Sequence, residues 1–149
     1  MSDQTEQMKL NIPSDFKYLG AVDAALQDLA REFAFSEGAI NDVSTALVEA
    51  CSNAIEHGNR FDKDKRVRVT LTFNGSAFRA EVNDEGAGFD YGTALRRDDP
   101  PNPMSERGRG LIIMKAFTDD LRFSLTDHGL CVELTKTREL TEDDSTDAD

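Results

Sequence analysis

The spacing of apolar positions changes period partway along the chain, and the change predicts where helices give way to strands. Leu19, Val22, Leu26, Leu29 and Phe33 recur every three or four residues, which is the stripe of an amphipathic helix. Pro13-Ser14 ahead of them reads as a helix entry, with Ser14 as N-cap. Ser36 reads as the cap of a second helix, whose stripe is Ile40, Val43, Leu47, Ala50 and Ala54. Gly58 falls at its end and suits a left-handed C-terminal position. Beyond it the period drops to two. Val67, Val69, Leu71 and Phe73 alternate with Arg66, Arg68, Thr70 and Thr72, Asn74-Gly75 turns the chain, and Phe78, Ala80 and Val82 return. Leu121, Phe123 and Leu125, the turn Asp127-His128-Gly129, and Leu130, Val132 and Leu134 repeat the scheme. Met8 to Ile12 predicts a short leading strand, and a short helix is expected from about Leu111 to Phe117. Helices gathered early and antiparallel strands late predict an α+β fold, a two-layer sandwich with helices on one face of the sheet.

The 149 residues suit one domain, with no repeat and no dividing linker. Residues 1–7 read as a flexible start, 8–138 as the folded domain and 139–149 as a disordered tail. That tail holds Glu139, Glu142, Asp143, Asp144, Asp147 and Asp149 with no Lys or Arg. The net charge is -12. Removing the six tail acids leaves the remainder acidic, which disfavours direct nucleic-acid binding, because a phosphate backbone attracts a basic stripe. No apolar run approaches the roughly 18 residues of a membrane span, and MSDQTEQMKL lacks a basic start followed by an apolar stretch. A cytoplasmic protein without membrane association is the expectation. Cys51 and Cys131 are far apart and in no CxxC pair, so both read as small buried hydrophobes rather than a disulfide or zinc site.

Three places carry candidate chemistry. On the second helix, Glu49, Asn53 and His57 are spaced by four, so each step turns only about 40° and all three share one side at the rim of the apolar stripe. An amide oxygen there suits Mg²⁺ shared with substrate phosphates, and a carboxylate suits proton abstraction from a hydroxyl. A partly solvated helix face would look the same. Asp84-Glu85-Gly86-Ala87-Gly88 directly follows a strand. A carboxylate at a rigid strand end can accept from an exocyclic amine, and glycines let backbone approach a flat ring. A simple acidic turn is the alternative. Last, Arg107-Gly108-Arg109-Gly110 opens an apolar helical stretch, where free backbone N–H groups and arginines would attract phosphate. Residues 91–107, with Pro100, Pro101 and Pro103, form a long irregular segment of the kind that is either a functional lid or disordered.

Taken in order, ExxxNxxxHG on a helix, DxGxGF after a hairpin and RGxGLxIM at a helix start resemble the three boxes of the GHKL ATPase superfamily. The phrases EACSNAIEHGN (49–59) and GRGLIIMKAFTDDLRF (108–123) are similar to its smallest branch, the anti-sigma-factor serine/threonine kinases. The resemblance implies the Bergerat ATP-binding fold, a mixed and mostly antiparallel sheet layered on helices, with ATP and Mg²⁺ as ligands. It implies Glu49 as general base, Asn53 as magnesium ligand and Asp84 as acceptor for the adenine amino group. Gly86 and Gly88 would shape the adenine pocket. Arg107, Gly108, Arg109 and Gly110 would hold phosphate, under a lid at 91–107. The family's Thr near adenine is missing at Gly129-Leu130-Cys131, and Thr135 is a distant substitute. His57 is expected to be structural. The implied function is phosphorylation of a STAS-domain anti-anti-sigma factor, with a sigma factor as a further possible partner and a homodimer as the assembly. The alternative is an ATP-binding partner-switch module with another target and little or no kinase activity.

Overall fold

The computed structural model describes residues 5–86 and 106–137, with backbone alone for 106–108. Five strands form one sheet: β1 (Glu6–Pro13), β2 (Arg66–Phe73), β3 (Ala77–Asn83), β4 (Asp120–Leu125) and β5 (Leu130–Thr137). Their spatial order is β1-β2-β3-β5-β4, and every pairing among the described residues is antiparallel. The helices are α1 (Leu19–Glu32), α2 (Glu37–Asn53) and α3 (Glu106–Ala116). The expected α+β sandwich is the fold observed.

Strand alternation sorts the sheet into two faces. Val67, Val69, Leu71 and Phe73 of β2 are buried, as are Phe78, Ala80 and Val82 of β3 and Leu130, Val132 and Leu134 of β5. They meet Val22, Leu26 and Leu29 of α1 and Ile40, Val43, Leu47 and Ala50 of α2 in one core. The other face carries the alternate polar set, and Arg79 pairs with Glu133 across it at 2.9 Å. Lys136 is nearly buried on the core face and reaches Asp42 of α2 at 3.3 Å, pinning the end of β5 to that helix.

Ser36 caps α2 as expected, accepting from Ala39 N at 3.1 Å. Four expectations are corrected. Ser14 does not cap α1: it is buried and donates to the Lys65 carbonyl at 2.6 Å. Asp15 instead caps a short 3₁₀ turn, Phe16–Tyr18, that leads into α1. β1 begins at Glu6, inside the stretch expected to be loose, because its register carries pairing out to Phe73. The third helix begins at Glu106, five residues early, so Arg107 to Gly110 lie in its first turns and not in a loop ahead of it. Cys51 is fully buried, and burial pushes its thiol up to about 12. Cys131 is only half-buried on the outer face. Gly88, the acidic tail and the expected lid up to residue 105 lie outside the described residues.

Candidate functional site

The site forms where α2 ends. After Asn53 the helix widens into a π-turn, Ala54–Gly58, a feature that often marks functional positions within helices. Glu49 and Asn53 stand one turn apart before it, and the start of α3 lies across them. A methyl group added at Gly110 would sit 2.8 Å from Asn53 Nδ2 and 3.1 Å from Glu49 Oε2. A side chain there would oblige Asn53 or α3 to shift. Asn53 is 7% exposed, yet its Nδ2 has no hydrogen-bond partner among the described residues. A buried amide N–H left unpaired costs about 1–3 kcal/mol, so Asn53 presents a donor that lacks an acceptor among the described residues.

Asp84 follows β3 and is 3% exposed. Its Oδ1 accepts from Leu130 N at 3.0 Å and Gly86 N at 3.1 Å, and its own N–H donates to the Leu130 carbonyl at 3.1 Å. Burial raises its proton affinity above that of an ordinary carboxyl, against the opposing pull of those two N–H groups and the Lys65 charge. Gly58 and Gly129 make room for it, and Gly86 in turn packs on Gly58. A methyl at Gly58 would lie 2.2 Å from Asp84 Oδ2, one at Gly129 would lie 2.2 Å from the Asp84 carbonyl oxygen, and one at Gly86 would lie 1.7 Å from the Gly58 carbonyl oxygen. Gly58 is thus required for close approach and not for the left-handed geometry expected of it; left-handed φ values occur just beyond, at Arg60 (53°) and Phe61 (58°). Gly129→Ala is expected to lower stability by about 1–3 kcal/mol, the usual cost of overpacking, and a thermal melt several degrees below the parent would register it.

Asn53 and Asp84 are the polar groups of one depression. Ala50, Ala54 and Met114 line it from the helices, and Val82, Phe123, Leu130 and Val132 from the sheet. Apart from these two groups its lining is apolar. Glu49 and Gly110 adjoin Asn53, and Gly86 adjoins Asp84. Arg109 is exposed on α3. His57 lies in the π-turn, 3.9 Å from Glu56, away from the depression's lining. Thr135 shares the outer sheet face with Cys131 and Glu133, so it cannot stand in for a Thr at the site. The reading by residue type missed Gly58 and Gly129 as parts of the site. The one hint was a glycine at each of two turns that the fold brings to Asp84.

The chain belongs to the histidine kinase-like ATPase domain family, whose match runs over residues 12–136. Among its relatives is the serine-protein kinase RsbW of Bacillus subtilis strain 168, 27% identical over 142 residues that cover 91% of this chain and 88% of the relative. RsbW of Bacillus licheniformis is 29% identical over 154 residues, covering 98% and 96%. The same fold occurs in the crystal structure of the RsbU and RsbW domains of a Mycobacterium tuberculosis protein, with TM-score 0.67 and 20% identity over 91% of this chain and 34% of that one. It also occurs in the SiaB–SiaC complex from Pseudomonas aeruginosa, with TM-score 0.66 and 15% identity over 86% and 88%.

Proposed function

We propose that the protein is an ATP-dependent serine/threonine protein kinase that acts as an anti-sigma factor and phosphorylates a STAS-domain antagonist. The observation that carries the reading is the unpaired amide of Asn53, beside Glu49 and under the start of α3, in the same depression as the buried carboxyl of Asp84. Asp84 accepts from the exocyclic amine of adenine, while the apolar lining packs on the ring. The Asn53 side-chain oxygen would suit a hard cation with oxygen ligands, and its unpaired Nδ2, a donor, would face a phosphate oxygen; Mg²⁺ bound there with ATP would neutralise phosphate charge. Arg107, Arg109 and the free backbone N–H groups in the first turn of α3, that of Gly108 among them, would hold the phosphates, and Gly110 would serve by letting α3 approach Asn53. Glu49 orients the acceptor hydroxyl and takes its proton. The similarity to proteins named serine-protein kinases favours a protein hydroxyl as acceptor. Incubation with γ-labelled ATP and STAS-domain proteins of the same genome tests the assignment. Label on a serine or threonine of one of them supports it; ATP binding with no label transferred favours a switch module without kinase activity.

Asp84→Asn examines the adenine end. Asparagine keeps its one oxygen for Leu130 N and Gly86 N and presents its NH2, a donor, where the adenine amine would need an acceptor. Hydrogen bonds to charged groups contribute about 1.5–3 kcal/mol, so ATP affinity should fall about tenfold or more by calorimetry. The unliganded fold should not suffer. A carboxyl whose folded-state pKa is raised stabilises most below its ordinary value of 3.8, and that contribution is lost as pH rises through the folded pKa. At neutral pH the neutral amide removes this penalty, so the variant should melt at or above the parent temperature.

A further inference from the structure

We propose that Asn59 is a positioning residue that holds the adenine-binding turn in place, an inference that rests on the reading of Asp84 as the adenine acceptor. Asn59 directly follows Gly58 and is 1% exposed. Its side chain joins three separate segments of the chain. Nδ2 donates to Ser14 Oγ at 2.9 Å, just after β1, and to the Arg66 carbonyl at 3.0 Å, where β2 begins. Oδ1 accepts from Glu85 N at 2.7 Å. Both amide protons and the oxygen are thereby engaged, and a fully satisfied buried amide fixes the geometry of what it touches.

The acceptor arm is the one that bears on the ligand. Glu85 N belongs to the peptide that follows Asp84, and the next N–H, of Gly86, donates to Asp84 Oδ1. Displacement of the Glu85 peptide would carry the Gly86 N–H with it, and the carboxylate would lose its orientation. The Glu85 carboxylate is held as well, accepting from Arg66 N, so Arg66 and Asn59 grip the turn from two sides. Gly58 opens the space into which Asp84 fits, and Asn59 anchors the backbone that delivers it. The donor arm faces away from the depression: Ser14 passes its own proton to the Lys65 carbonyl, and that branch serves the loop between the π-turn and β2.

Asn59→Asp keeps an acceptor for Glu85 N and loses the donors, whereas Asn59→Ser is one bond too short on both sides and cuts both arms, so the difference between the two isolates the acceptor arm. ATP affinity, measured by calorimetry well below each melting temperature, should fall about tenfold in Asn59→Ser and stay within about threefold in Asn59→Asp. Ser14→Ala should lower the melting temperature and leave affinity within about twofold. A purely structural role would instead make affinity insensitive to all three, or make it track the melting temperature, and either pattern overturns the proposal. A second readout needs no variant. In NMR spectra of the intact protein the Glu85 backbone amide and the Asn59 side-chain amide should shift along one saturation curve with ADP, and signals unmoved at saturation also overturn it. Asp84→Asn, measured in parallel, separates the two levels of argument. If that variant loses affinity and Asn59→Ser keeps it, only the role of Asn59 falls; if Asp84→Asn binds as the parent does, the adenine assignment falls and this inference with it.

Discussion

Glu49→Gln is expected to bind Mg-ATP within about threefold of the parent while transferring phosphate at least about 10²-fold more slowly, the usual scale for loss of a general base. Glu49 sits half-buried on α2, one turn before Asn53 and beside the backbone of Gly110. Glutamine has the same shape and leaves that contact in place, so α2 and α3 keep their packing. What it lacks is the ability to accept a proton from the acceptor hydroxyl. Asn53→Ala should behave in the opposite way. It removes the buried amide whose Nδ2 is unpaired, so the fold gives up little, while the magnesium-dependent part of ATP binding is lost. Calorimetry with and without Mg²⁺, together with a single-turnover phosphotransfer assay, distinguishes the two. Full phosphotransfer by Glu49→Gln would remove Glu49 from the chemistry.

The features legible in the sequence are those written in local periodicity. The stripe of α2, its Ser36 cap and the Asn74-Gly75 hairpin all come from neighbours within a few residues. The structure reproduces them, down to Asn74 Oδ1 accepting from Ser76 N and Ala77 N at 2.8 Å. Asp84 at the end of a strand was legible for the same reason. What escaped depends on contacts between distant segments. Nothing local distinguishes a Gly58 needed for helix termination from one needed to admit Asp84, 26 residues on, and the helix-cap signal at its position is equally strong. Ser14 looked like a cap because it precedes an apolar stripe, but its hydroxyl is claimed by Lys65 and Asn59, residues that only β1–β2 pairing brings near. The start of α3 was hidden by Gly108 and Gly110, since glycine costs about 1 kcal/mol in a helix interior and reads as loop. The structure accounts for Gly110, at least: its backbone must lie against Glu49 and Asn53.

That close approach makes Gly110→Ala the most informative change at the phosphate end. Within a helix, alanine is favoured over glycine by about 1 kcal/mol, and Gly110 has no left-handed φ that a side chain would strain. On helix propensity alone the variant should be more stable. Its methyl group, however, would lie 2.8 Å from Asn53 Nδ2, 3.1 Å from Glu49 Oε2 and 3.4 Å from Asn53 Oδ1. Asn53 is buried and cannot swing into solvent, so either its amide rotates or α3 withdraws by a few tenths of an ångström or more. Each response separates Glu49 and Asn53 from the helix start proposed to hold the phosphates. Displacements approaching 1 Å can cost about 10²-fold in rate, so phosphotransfer should fall by about that factor while the melting temperature stays within a few degrees of the parent. Gly20→Ala is the matched control: it adds a methyl to α1 with nothing within 4 Å, and should give the helix its propensity gain with activity unchanged. Parallel thermal melts and phosphotransfer assays of the two variants decide the matter. Undiminished activity in Gly110→Ala would mean that the contact of α3 with Glu49 and Asn53 has no part in the reaction.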